Sequence, residues 1–428
     1  MTMIRVLAFK KKIICRVFLR PLDYYQELSQ KTLPILILYY LTITLSIYIA
    51  LILLASSVLL AKDSEPNKSF FSIHQPYLGI RPIAMGNAFT AVADDYNALF
   101  YNPAGLSNNR SNNLIISLGS YGSSTGDSSI SNLYNELRQA GNHAGSIRTT
   151  ELTELAESKY GKYYYARFTP LSFFYTRPSM GIAILPADGE LVLGIDKQVG
   201  PTVKAKFILD STFALGYAWS FGGTLKGMAL GLAGKIVHRV SLEKIMPVLE
   251  YEKSKDIIKT SSLNEGMGID ADVGILYNMP DLLSWSNITF GGAVRNLFDS
   301  GYREKVTIIN KKPGTPPNSE TRYDLGVKGV FKSLWRFTPT LAFDIRDIAH
   351  SNANPKKLYH LGTELKLDLG THMDLRLLAG ANQGYITYGV AWQAFWYLIE
   401  LASYGEEVGT KEESKENRVY TGRFAFHF

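Results

Sequence analysis

The last dozen residues alternate without a break. Counting back from the end, Phe428, Phe426, Phe424, Gly422 and Tyr420 fall on one face of an extended chain, and His427, Ala425, Arg423, Thr421 and Val419 on the other, because successive side chains of a strand point to opposite sides. An aromatic row opposed to a mixed polar row describes a strand with one face in an apolar medium. The pattern recurs upstream. Leu361, Thr363, Leu365, Leu367 and Leu369 oppose Gly362, Glu364, Lys366 and Asp368; Met373, Leu375, Leu377 and Ala379 oppose Asp374 and Arg376; Leu341, Phe343 and Ile345 oppose Ala342, Asp344 and Arg346. Further strand-like segments lie near 113–119, 163–176, 179–187, 190–196, 203–219, 225–240, 253–260, 266–278, 286–297, 302–309, 320–333 and 384–396. Several reach the roughly 9–11 residues that a tilted strand needs to cross a bilayer. Alternation by itself also suits a water-soluble sandwich, whose polar face meets solvent.

Composition narrows the choice. Charged residues are 19% of the chain, against about 25% in ordinary soluble proteins, while 36 glycines and 26 tyrosines require a use. Residues 1–61 hold seven Lys/Arg against Asp23 and Glu27, which is +5 of the formal +7. The basic pI therefore describes this leader rather than the body, and gives no ground for a nucleic-acid partner. Within the leader, 35–61 is almost wholly apolar and ends in small residues before Lys62, the layout of an export signal cleaved near Ala61. Its length also suits an uncleaved anchor, and a buried core helix is the third alternative. The only cysteine, Cys15, lies in the same leader. Later in the chain, Leu377 to Ile399 carries no charge, but glycine and amide residues interrupt it and no second candidate accompanies it, which speaks against a multi-helix membrane protein. The expected fold is all-β: a transmembrane antiparallel β-barrel with an even number of strands between 12 and 16, 14 being the expected count.

The rest of the body fits around such a wall. Tyr388, Trp392, Phe395, Trp396, Tyr397, Tyr101 and Tyr163 to Tyr165 are candidates for interfacial girdles, the alternative being that a few simply fill a core. Residues 129–141 and 149–160 read as helices inside a large extracellular loop at about 121–160. The runs 311–320 and 408–418 read as polar loops, the first because three prolines remove ladder donors. Signs of enzymatic chemistry are weak. The seven histidines show no metal-ligand spacing, and the Gly122, Ser124, Gly126 string lies in a Ser/Gly-rich loop instead of the strand-to-helix turn that a nucleophile elbow needs. No catalytic residue, metal or cofactor is expected.

Between leader and first strand lies a segment of small residues, "MGNAFTAVADDYNALFYNPAGLS", with the acidic pair Asp94 and Asp95 and a turn signal at Asn102-Pro103 and Gly105. This segment resembles the N-terminal hatch of the outer-membrane long-chain fatty acid transporter family (FadL-like), while "GIDADVGILYNMPDLLSWSNITFGGAVRNLFD" and "HLGTELKLDL" look like less characterised branches of that superfamily. The resemblance implies three regions: leader 1–61, hatch 62–112, and a barrel at 113–428 with the hatch inside its lumen. Gly86, Asp94, Asp95, Asn102, Pro103, Ala104 and Gly105 would then belong to the hatch, and Phe428 would be the sorting mark read by the barrel-assembly machinery. The implied location is the outer membrane of a Gram-negative-type bacterium, in contact with its lipid. The implied function is passive uptake of hydrophobic small molecules such as long-chain fatty acids. A carboxylate head would meet Arg346, Arg376 or Arg423 on the polar strand faces. Phe173 and Phe174, with Leu133, Leu152, Leu155, Phe168 and Leu171, would line an apolar groove. Pairing with neighbouring acids and packing of the loop on itself are the competing roles. Relatives with this hatch also act in protein secretion, so a non-transporting barrel serving as structural or secretion partner stands as the alternative.

Overall fold

The computed structural model describes residues 72–428, apart from 126–128, 142–145, 198–200, 248–259, 284–285, 303–307, 312, 371 and 410–413. The leader lies outside the described residues. Among the described residues, fifteen strands form one antiparallel sheet that closes on itself when β1 (Asn113–Ser124) pairs with β15 (Glu416–His427). β2 (Tyr163–Thr169) and β3 (Ser172–Arg177) are the upper and lower halves of one stave, since both lie between β1 and β4 (Met180–Lys197). The barrel therefore has fourteen staves. Closure leaves no free edge, which an apolar surrounding demands of any sheet.

From β4 the staves follow in chain order: β5 (Pro201–Ser220), β6 (Met228–Pro247), β7 (Asn264–Leu283), β8 (Ser286–Arg295), β9 (Arg322–Phe331), β10 (Phe337–Ile348), β11 (Tyr359–Gly370), β12 (Met373–Asn382), β13 (Tyr385–Ala394), β14 (Tyr397–Glu407) and β15. Asn113 and Phe428 share the end with short turns, such as Phe395–Trp396, while the connections around 125–162, 296–321 and 349–358 lie at the other. Short turns face the periplasm and long loops the outside in barrels of this kind.

Some elements differ from the sequence reading. The segments 179–187 and 190–196 are one strand, β4, bent where register shifts between Leu185 and Asp188. β14 was not foreseen, because YLIELASYGEE keeps no clean alternation and no Gly or Pro marks the turn before it. Residues 302, 308 and 309 lie in a loop, with the remainder of 302–309 outside the described residues, as is nearly all of 253–260. Tyr388, Trp392, Phe395, Trp396 and Tyr397 stand exposed on the outer wall, whereas Tyr101, Tyr163, Tyr164 and Tyr165 are buried and supply no girdle.

The helices of the large loop, α3 (Ile130–Gly141) and α4 (Ser146–Ser158), pack Leu133, Leu152 and Ala156 against Tyr164 and Ile195. Ile195 shares its outward row on β4 with Gly189, two residues at a time, while Asp188 and Glu190 point to the lumen. The cap thus rests on the outside of the upper wall.

Candidate functional site: the plugged lumen

The hatch fills the barrel. It begins with an extended stretch at 72–79, continues through α1 (Ile80–Ala84) and α2 (Ala98–Tyr101), and ends in a 3-10 turn at Pro103–Asn108. Its aromatic residues form the core: Tyr77 lies 4.6 Å from Phe100, Tyr96 4.8 Å from Phe174 of the wall, and Phe89 5.4 Å from Tyr101, centroid to centroid.

Many of the glycines have their use here. A Cβ on Gly231 would stand 2.1 Å from Ala104 N, on Gly274 2.0 Å from Asn102 Oδ1, on Gly291 2.7 Å from Thr90 O, on Gly362 2.4 Å from Met85 O, and on Gly389 2.7 Å from Ala84 Cβ. These positions lie on different staves and form a bare ring on which the hatch backbone sits. Gly86 on the hatch answers them: its φ is +63°, and a Cβ would lie 2.1 Å from Leu361 O. Gly105 is fixed inside the hatch, where a Cβ would meet Ala93 O at 1.9 Å.

Wall side chains then bind the hatch backbone. Asp344 accepts from the amides of Phe89 and Thr90 (both 2.7 Å), Thr387 from Gly86 (2.9 Å), while Arg346 donates to Asn87 O (2.7 Å) and Lys328 to Val92 O (3.2 Å). Asn102, fully buried, donates to Thr90 O at 2.8 Å and to Ile275 O at 3.1 Å and accepts from Ala104 N at 3.1 Å. The Asn-Pro-Ala sequence is therefore a joint between two hatch segments and β7. Pro103 sits at the first position of the turn, where a missing N–H costs nothing.

Around this plug the lumen is densely ionic. His74 bridges Glu190 (2.6 Å) and Asp210 (3.0 Å), and Asp210 also pairs with Arg239 (2.7 Å). Arg295 joins Asp324 (2.6 Å) to Asp347 (2.7 Å), beside Arg322 and Arg346. Arg81 of α1 gathers Asp94, Asp95 and Glu364. Burial pulls its guanidinium down, but Asp94, Glu364 and Asp95 outweigh this and hold it well above the usual arginine value. For Asp94, burial pushes up, and Arg81 followed by Lys328 pulls the carboxyl below the usual range.

Two cavities are described beside the hatch. The smaller, about 30 Å³, lies between Ile73, Gln75 and Leu78 of the hatch and Tyr165, Arg167, Glu190 and Glu406 of the wall. The larger, about 350 Å³, is lined by Arg81, Asp94, Asp95 and Tyr96 of the hatch and by Lys366, Asp374, Arg376 and Glu400 of the wall, with Asn113 and His427 at the periplasmic end. Both are mainly polar. Of the three arginines singled out from sequence, Arg376 lines the larger of these two cavities and the other two line neither. Arg346 is wholly buried over the Tyr101 ring (4.7 Å), and Arg423 pairs with Glu400 under Tyr96. Phe174 packs against the hatch, Phe173 sits on the opposite face of β3, and Leu133 and Leu152 are buried between the cap and the outer wall. The residues expected to form one groove are thus spread over three places. Phe428 exchanges backbone hydrogen bonds with Leu114 (2.9 Å each way), closing the barrel at its seam with β1.

No protein-family model matches the chain, and neither does any curated protein. Among solved structures, the Ralstonia pickettii toluene transporter TbuX is similar at 12% identity over 82% of this chain and 97% of that one, with a TM-score of 0.41. The Pseudomonas putida toluene transporter TodX is similar at 10% over 84% and 99% (TM-score 0.40), and CdiB from Escherichia coli at 9% over 73% and 63% (TM-score 0.33). At such identities and scores no residue's role and no cargo is carried across. The architecture that the hatch resemblance implies, a plug inside a 14-stave barrel, is the architecture this chain has.

Proposed function

We propose that this protein is an outer-membrane channel for passive uptake of hydrophobic small molecules, long-chain fatty acids among them. The supporting observation is a seam in the wall. At one level, β1 slips register between Ser117 and Gly119, the second stave breaks at Pro170–Leu171, and β4 slips between Leu185 and Asp188. Pro170 and Pro186 lack the N–H that would restore the ladder. An apolar solute faces a polar layer along the barrel axis, where the lumen is packed with ion pairs. Sideways passage through a weak strip of wall avoids that layer. Leu118 and Phe168 are exposed on the membrane side of the strip, and Phe168 lies over Gly189, whose Cβ would meet the ring at 2.4 Å.

In this reading Phe173 borders the approach from lipid, Phe174 is the wall's contact with the hatch, and Arg376, with Lys366, holds a carboxylate at the periplasmic cavity. Arg346 and Arg423 act through the hatch instead of touching cargo. The hatch is then the movable element, and Phe428 directs insertion by the assembly machinery. The filled upper lumen, where Arg239 reaches Pro317 O (3.2 Å) and stacks on Tyr302 (4.5 Å) from the loop above, favours the second reading, a non-transporting barrel that serves a protein partner. Uptake of labelled oleate and of a monoaromatic hydrocarbon by cells lacking their own channel decides between them. A rise on expression of this protein supports transport; no rise, with correctly inserted barrel, sinks it.

A further inference from the structure

Arg81 serves more negative charge than one guanidinium carries. Its Nη1 donates to Asp94 (2.6 Å) and Asp95 (2.7 Å), while Nε and Nη2 reach the two oxygens of Glu364 on β11 (2.6 and 3.0 Å). Two of these carboxylates belong to the hatch and the third to the wall, so one side chain fastens the Asp94–Asp95 turn to the barrel. The imbalance is opposite at the neighbouring group. Lys366 (3.4 Å) and Arg376 (3.1 Å) share one carboxylate, Asp374, and Arg376 comes only within 3.9 Å of Glu364. Arg81, Asp94 and Asp95 of the first group and all three residues of the second line the same cavity of about 350 Å³. Its most exposed charged members are Asp94, 39% accessible, and Lys366, 40%.

We propose that these residues form a charge-exchange latch for the hatch. In the closed form Arg81 holds the Asp94–Asp95 turn against α1 and shares Glu364 with it; in the released form the turn leaves α1 and swings across the cavity to Arg376 and Lys366, while Arg81 stays with Glu364. In the released form Asp374 shares Lys366 and Arg376 with the two incoming carboxylates, three acids on two cations in place of three on one, so release does not leave a carboxylate without a cation, which is the costly step in breaking an ion pair. The cavity supplies the room the turn needs. Two discrete pairings of one cluster are the kind of bistable element on which a gate is built. The latch rests on the channel reading for its purpose, but its readout is hatch motion and is independent of cargo.

The test is hydrogen–deuterium exchange of hatch amides 79–106 in the full-length folded barrel, with heat-modifiable gel mobility as the folding control. Arg81→Gln removes the closed pairing and is expected to speed exchange about tenfold. Lys366→Gln with Arg376→Gln removes only the receiving side and is expected to slow exchange about tenfold. A merely structural Arg376 would do the reverse, loosening the wall and speeding exchange. Faster or unchanged exchange in the Lys366/Arg376 variant overturns the latch, and this holds even if Arg81→Gln fails to fold. Altered exchange with no hydrocarbon uptake would leave the latch standing and remove the channel; uptake with exchange of the wrong sign would do the opposite.

Discussion

Gly231→Ala adds one methyl group where the ring faces hatch backbone alone. Its Cβ would stand 2.1 Å from Ala104 N and 2.2 Å from Pro103 C, more than 1 Å inside ordinary contact, and both obstacles are backbone. The side chain cannot turn away, so the Asn102–Gly105 joint must retreat. Overpacking of this kind costs about 1–3 kcal/mol, and retreat weakens the Asn102 bonds to Thr90 O and Ile275 O, each worth about 1 kcal/mol net. A total near 3 kcal/mol raises the released fraction of the hatch roughly a hundredfold. Exchange of amides 86–106 in the folded barrel reads this directly. Gly234→Ala is the control, because nothing lies within 4 Å of the Cβ it would carry. Equal exchange in the two variants would refute the claim that bare glycines seat the hatch.

Asn102→Ala leaves Thr90 O, Ile275 O and Ala104 N without their partner and is expected to destabilise the hatch by about 2 kcal/mol, a roughly thirtyfold rise in opening by the same exchange assay. Arg423→Gln strands Glu400, 2% exposed, and is expected to lower folding stability by about 3–5 kcal/mol in urea titration, with Glu400→Gln recovering much of it in the double variant. Acid is expected to loosen the hatch through Asp94, which faces Arg81, Lys328 and Arg376. Its carboxyl is lowered in the folded state, so its contribution is complete above the unfolded value of about 3.8 and fades as pH falls below it. Hatch protection that is flat from pH 5 down to 2 would contradict that assignment. Arg376→Gln is expected to reduce uptake of a fatty acid relative to the alcohol of equal chain length; equal losses would remove Arg376 from carboxylate recognition.

The wall was legible wherever one face meets lipid. On β11 and β15 the outward rows Leu361 to Leu369 and Tyr420 to Phe428 are apolar, so period two stands out. It fades on β14, where Glu400, Ser403 and Tyr404 are all buried against lumen or neighbours, and on β4, where Pro186 and a register shift break the row in two. The hatch announced itself by its small residues and Asn-Pro-Ala. Its seat did not: Gly231, Gly274, Gly291 and Gly362 are each unremarkable in their strands and acquire meaning only when the closed barrel aligns them. Partnership was hidden for the same reason. Arg346 meets Asn87 O across 259 positions of chain and Arg81 meets Glu364 across 283, so alternation placed Arg346 and Glu364 on polar faces without showing which hatch groups they meet. The cap was legible as helix, and its position on the outer wall was not, because Tyr164 lies in a run of three tyrosines of which two face inward.

The most direct test of lateral passage is to clamp the seam. Ser117 and Ser172 face one another across β1 and β3 just below it and are buried on the lumen side. The chain's single native cysteine is Cys15, so Ser117→Cys with Ser172→Cys introduces the only pair in the body. Labelled oleate uptake is measured in cells under oxidising conditions and again after a reductant. The account predicts that uptake falls to background when the pair is oxidised and returns on reduction, with unchanged barrel in the membrane. Full uptake through the oxidised, verified crosslink would contradict passage through the wall.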